Sequence, residues 1–219
     1  MKKIAISFLV LFMAGIGIYY AVPKNVVTVT SGEIALKDKK ALVDEANVIV
    51  RGTVSEIKPS FWSNPNGEKG QDVRNIIQTD IVVNVEEVYK NELFNEKSVT
   101  VRIDKGKVGN YISKSEGYPE FDLKEEVILF LSKDDGDLAN PAENYYVLTG
   151  MSQGKFIKDK EVSGDKIFVN KVDSEKRDKL SLHEAKGEIS GIMDDLKKNP
   201  RPKMTKEEIR QQNEKVFGK

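Results

Sequence analysis

Apolar and polar residues alternate along much of this chain, and a period of two predicts strands. In "NVIVRGTVSEI", residues 47–57, Val48, Val50 and Val54 share one face with Gly52 between them, while Ile49, Arg51, Thr53 and Ser55 face the other way. A glycine inside such a strand marks a bulge, a tight coil or the close approach of another backbone. Ile77, Thr79, Ile81, Val83 and Val85 hold one phase of a second, longer strand against Gln78, Asp80 and Asn84. The pattern then slips, because after Glu86 and Glu87 the next apolar residue is Val88. A strand reverses its faces only by inserting a residue, so the acidic doublet predicts a bulge or a bend between sheets. Neighbouring side chains in a regular strand diverge, which argues against the two glutamates meeting on one ligand.

"SVTVRID", residues 98–104, alternates with Val99, Val101 and Ile103 inward and Thr100, Arg102 and Asp104 outward. "EVILFLS", residues 126–132, is apolar on both faces from Val127 to Leu131, which predicts a strand covered by core on one side and a helix on the other. "NYYVLT", "GKFI" and "KIFVN" add three short strands. Two segments carry a helical period instead. "DKKALVDEA" begins with an N-cap residue, Asp38, and places Leu42, Val43 and Ala46 on one side. Farther on, Ser181 to Glu184 forms a capping box, Leu180 is placed for a hydrophobic staple, and Leu182, Ala185, Ile189, Ile192, Met193 and Leu196 make one stripe. Thr205 to Glu208 is a second capping box that opens a polar terminal helix. The expected architecture is mainly β with helices: an OB-like, partly closed antiparallel β-barrel, a short helix before it, and a C-terminal amphipathic helix packed on it.

The N-terminus has a different pattern. Lys2 and Lys3 precede an uncharged run from Ile4 to Val22, which Pro23 and Lys24 end. Such a run spans about 28 Å as a helix, enough for the hydrocarbon core of a bilayer. The two lysines hold their end in the cytoplasm, and Tyr19 and Tyr20 sit where interfacial aromatics belong. A cleaved signal peptide shares this signature, and Gly15-Ile16-Gly17 offers it a small-x-small site. Both readings place the remainder outside the cytoplasm, either tethered to the cell membrane by one pass or secreted. The chain then divides into residues 1–22 as signal peptide or anchor, 23–37 as a stalk with a short edge strand at Val26 to Thr30, 38–172 as the barrel domain, 173–200 as the packing helix, and 201–219 as a polar tail.

Composition closes several chemistries. There is no cysteine, so disulfides, thiolate metal sites and cysteine nucleophiles are excluded, and His183 is the only histidine, so one chain has no histidine metal cluster. In the first turn of a helix, that imidazole reads as solvated surface. The 35 basic and 35 acidic residues cancel; removing residues 1–22 takes two lysines, leaving 33 against 35 and a net charge of −2. A slightly acidic exported chain lacks the footprint of a nucleic-acid binder. No cofactor or metal is implied.

Binding is expected in the loops. "KPSFWSNPNGEKGQDVRN", residues 58–75, is long for a connection between adjacent strands and holds Phe61, Arg74 and the only tryptophan, Trp62. A hairpin tip folding its aromatic pair over a barrel end explains the same residues without a ligand. A second long loop, residues 104–120, carries Lys105, Lys107, Tyr111 and Tyr118 and either joins the first in one rim or runs as a solvated crossover. Asp134, Asp135 and Asp137 around Gly136 lack the spacing of a calcium loop and read as a polar turn.

The order of the early helix, "ANVIVRGTV", a loop, a long strand ending "VEEVYKNE", "VTVRI" and "EEVILFL" resembles the OB-like barrel of netrin-type and tissue-inhibitor-of-metalloproteinase-like domains over residues 38–157. It also looks like exported proteins of Gram-positive bacteria with an N-terminal anchor. The inhibitor domains use an N-terminal cysteine to chelate the target's metal, and this chain has none, so no functional residue is carried over. The expected function is an extracytoplasmic, membrane-anchored binding module for a protein, peptide or cell-envelope polymer; the alternative is an extracellular hydrolase or protease-inhibitor-like protein with no assigned catalytic residue. The anchor reading expects the full-length mass in protein recovered from its own membrane, whereas a species beginning near Ile18 overturns it.

Overall fold

The computed structural model describes residues 24–31, 36–64, 75–91, 94–136, 139–159, 166–170 and 178–202. The apolar segment 4–22, Arg74, Asp137 and the helix expected after Thr205 lie outside them. Among the described residues the chain is mainly β with two helices. In chain order these are β1 (Val26–Thr30), α1 (Lys39–Glu45), β2 (Val48–Ile57), β3 (Phe61–Trp62), β4 (Ile77–Lys90), β5 (Ser98–Ile103), β6 (Gly106–Val108), β7 (Tyr111–Ser115), β8 (Glu126–Ser132), β9 (Val147–Leu148), a 3-10 turn (Met151–Gly154), β10 (Lys155–Lys158), β11 (Ile167–Val169), β12 (Lys179–Ser181) and α2 (Leu182–Lys198).

Nine strands join in one sheet whose main path runs β12-β11-β10-β8-β2-β4-β3, with β5 paired to β4 and β9 to β8. The ladders do not close into a barrel. Between β5 and the residue before β9 there is a single parallel bridge, Val101 with Tyr146; the Tyr146 N–H donates to the Thr100 carbonyl at 2.9 Å, and the Arg102 N–H to the Tyr146 carbonyl at 2.8 Å. A second sheet, ordered β1-β7-β6, forms where the sequence reads as a loop over residues 104–120. The two-residue connection Gly109-Asn110 makes that hairpin, with Gly109 at φ 59°. This left-handed backbone is cheap for glycine.

The two-sided character of β8 organises the core. Val127, Leu129 and Leu131 enter one apolar cluster with Val48, Val50, Ile81, Val83, Val99 and Val101. Ile128 and Phe130 enter a second, with Ile49, Tyr89, Phe156, Phe168, Leu180 and the helical residues Leu42, Val43, Ala185 and Ile189. A helix therefore does cover the outer face of β8, as its pattern requires. Asp38 caps α1 by accepting from the Ala41 N–H at 2.7 Å. Ser181 is the N-cap of α2, but its side chain makes no capping bond, so the expected box lacks that bond.

The phase slip in β4 is a bulge. Arg51 opposes Glu87 and Gly52 opposes Val85, so Glu86 is an extra residue; Tyr89 is a second, because Val50 opposes Val88 and Ile49 opposes Lys90. The bulge corrects one expectation: Glu86 and Glu87 do not diverge. Two residues facing one on the partner strand turn toward the same side, and both reach Arg51, Glu86 through Nη1 and Glu87 at 3.6 Å from Nε. Beyond the bulge, Lys90 Nζ donates to the carbonyls of Val43 at 2.6 Å and Ala46 at 2.5 Å, a cation at the C-terminal end of α1.

Gly52 sits where β2 is crowded by β4. A Cβ there would lie 2.1 Å from the Asn84 carbonyl oxygen, a backbone atom with little freedom to yield. Gly52→Ala is expected to lose about 3 kcal/mol of unfolding free energy by this overpacking. Gly187→Ala, in α2 with nothing within 4 Å of its Cβ, gains about 1 kcal/mol from helix propensity. Urea unfolding midpoints of the two variants check the contrast.

Candidate functional site

β4 and β5 run antiparallel with Asp80 directly opposite Arg102. Both charges stand in the outward phase of their strands, yet Arg102 is 5% and Asp80 8% exposed. Two loops cover them. The β2–β4 connection lays Phe61 on one side of the guanidinium, 4.8 Å from ring centroid to Cζ, and the β8–β9 connection lays Tyr145 3.9 Å away. Arg102 Nε donates to Asp80 Oδ1 at 2.7 Å, and Nη2 donates to Asp80 Oδ2 at 3.0 Å and to Glu143 Oε2 at 2.6 Å. Its Nη1 hydrogens have no acceptor among the described residues. Burial pulls the Arg102 pKa down, but its hydrogen bonds to Asp80 and Glu143 outweigh that and the net shift is upward.

Each loop is fastened to the frame. Ser60 Oγ lies 2.8 Å from Thr79 Oγ1, which donates to the Lys105 carbonyl at 2.6 Å, so Ser60 is the donor in their bond; it also accepts the Lys107 N–H at 3.1 Å. On the other side Tyr145 donates its hydroxyl to Asp134 Oδ2 at 2.7 Å and accepts the Asn140 N–H at 2.9 Å. Asn140 Nδ2 donates to Glu143 Oε1 at 2.8 Å and so presents that carboxylate to Arg102. Between the loops lies an open cavity of about 430 Å³, which Lys58, Thr100 and Asn144 also line. Two cations, Lys58 and Arg102, face two carboxylates, Asp80 and Glu143, so the groove carries mixed polarity without a net field. Among the described residues no group of three or more His, Cys, Asp or Glu is placed to hold a metal.

The residues expected to bind fall into different places. Phe61 lines the groove. Trp62, the next residue on β3, points away from it and meets Tyr111 edge-on, with ring centroids 5.6 Å apart at 68°. Tyr118 lies in a separate cavity of about 450 Å³ beside Glu125 and Lys155, with its hydroxyl donating to Asp104 Oδ2 at 3.0 Å. Burial first, then the Asp104 charge, pushes that phenol up. Lys155 is itself enclosed there, with Nζ 2.6 Å from Glu125 Oε2 and 4.1 Å from the centre of the Phe121 ring. Arg74 lies outside the described residues, and His183 is exposed, as its helical position implies.

Arg102, Asp80, Glu143 and Tyr145 are missing from the sequence-level site because alternation assigns outward charges to solvent. A signal was present: two consecutive antiparallel strands carrying opposite charges at facing positions. No protein-family model and no curated protein matches this chain.

Removing Asp80 takes away two of the three carboxylate hydrogen bonds of buried Arg102 and leaves only the more exposed Glu143 to balance it. Asp80→Ala is expected to cost about 3–5 kcal/mol in denaturant unfolding. Tyr145 supplies a pH signature. Burial, then its bond to Asp134, raises its pKa above the ordinary phenol value of 10.0. An acid held protonated in the fold gives stability that is full below its unfolded pKa and is lost as pH rises through its folded one. Stability should therefore fall as the pH climbs above 10, less steeply in Tyr145→Phe, as followed by thermal melts across that range.

Proposed function

We propose that the protein is an extracytoplasmic binding module, tethered to the outer face of the membrane by residues 4–22, which takes an uncharged stretch of peptide or cell-envelope polymer in the groove over β4 and β5. One observation carries this reading: two loops far apart in sequence converge on Arg102, which with half-buried Phe61 lines a 430 Å³ cavity. Balanced charge in the groove suits a ligand rich in hydroxyl or amide groups rather than a polyanion, in keeping with the slightly acidic exported chain.

An OB-like arrangement of these strands supports the same place. Taking the Val101–Tyr146 bridge as a closing contact, β2, β4, β5, β9 and β8 form a ring of five, and the groove lies on its second and third strands beside its first and last connections. OB-fold domains bind oligonucleotides and oligosaccharides on that face with those loops.

Full-length protein in vesicles, incubated with purified cell-envelope glycan and, separately, with envelope peptide fragments, tests the proposal. Phe61→Ala should lower capture of one of them at least tenfold, while Trp62→Ala, which points away from the groove, changes it less than threefold. Equal loss in the two variants, or none in Phe61→Ala, removes the groove as the binding surface.

A further inference from the structure

β1 ends its sheet with a row of backbone groups facing outward. It pairs in parallel with β7 from Val26–Tyr111 to Thr30–Ser115, and no described strand pairs with its other edge. The Val26 N–H donates to the Asn110 carbonyl at 2.8 Å and the Glu116 N–H to the Thr30 carbonyl at 3.1 Å, which sets the ladder's phase. The peptide groups of residues 26, 28 and 30 face β7, and those of Val27 and Val29 face away. Val26, Val27 and Val29 are 47%, 50% and 58% exposed, and the strand holds no charge, proline or bulge of the kind that normally blunts an edge.

We propose that this edge pairs antiparallel with β1 of a second copy of the chain, about a two-fold axis through Thr28. In that register Val27 faces Val29 of the other copy, so the outward N–H and C=O groups of both strands meet in two hydrogen-bonded pairs. Thr28 faces Thr28 in the wider-spaced site between them. Threonine opposite threonine and valine opposite valine are favourable cross-strand neighbours, and no like charges are opposed. The sequence VVTVT therefore complements itself where its backbone is free.

A ladder of five residues buries far less than the roughly 1,200–2,000 Å² of a stable interface. Confinement supplies what area does not. The apolar run ends at Val22 and β1 begins at Val26, at most about 14 Å farther along an extended chain. An anchored copy thus carries its edge close to the bilayer, where lateral crowding raises the effective concentration of its partner.

Single-cysteine variants report the pairing without background, because the chain has no cysteine. Facing residues at a non-hydrogen-bonded antiparallel site have Cα atoms about 4.5 Å apart, within disulfide reach. Full-length Val26→Cys, Val27→Cys, Thr28→Cys, Val29→Cys and Thr30→Cys, each reconstituted in phosphatidylcholine–phosphatidylglycerol vesicles, are mildly oxidised and read as covalent dimer. The expected yield peaks at Thr28→Cys, at least fivefold above Val27→Cys and Val29→Cys. Adding Val29→Pro, which removes an outward N–H and no bond to β7, lowers the Thr28→Cys yield at least fivefold. Monomer throughout, a flat profile, or a yield indifferent to Val29→Pro overturns the proposal. None of these outcomes bears on capture by the groove.

Discussion

β8 has no face to give to water. Its five central residues, Val127 to Leu131, are fully buried and alternate between two apolar clusters, so the sheet needs a cover on each side before this strand is satisfied. One cover is the inward curl of the sheet itself, which brings β5 and β9 over the first cluster. The other is the pair of helices, docked through Leu42, Val43, Ala185 and Ile189. Burying the valine, leucine and isoleucine side chains among them is worth about 1.5–3 kcal/mol each. The ion pairs at the helix surface, such as Lys39 with Glu188, contribute far less.

The curl is made in β4. Two extra residues opposite β2 and the missing side chain at Gly52 let the strand bend while Val83, Val85 and Val88 stay on the core side. Arg51 sits at the bend and gathers both glutamates. The start of the same strand carries Asp80 to the groove, and its end carries Lys90 to the carbonyls of α1. One 14-residue strand thereby joins the groove to the helical layer.

Local pattern made much of this legible. The alternation from Val48 to Val54, the slip at Glu86, the doubly apolar run at Val127 and the stripe on α2 each report burial at their own position, and each matches the structure. What pattern does not report is which strand lies beside which. The hairpin within residues 104–120 is hard to read because its strands are short and only Val108, Tyr111 and Ile112 among them are apolar, although Gly109-Asn110 is itself a two-residue hairpin signal. Asp80 and Arg102 were assigned to solvent because their cover comes from residues 61 and 145, distant in sequence. The aromatic pair Phe61-Trp62 stood out by composition, but adjacent strand residues face apart, so one lines the groove and the other braces Tyr111.

The stack of Phe61, Arg102 and Tyr145 also determines what the groove ignores. Imidazole and thiol, the side chains that most readily change charge or oxidation state near neutrality, are absent from its lining. Its central cation is a guanidinium whose proton is held more tightly than usual. A groove lined in this way presents the same shape and the same central cation whether its surroundings are reducing or oxidising.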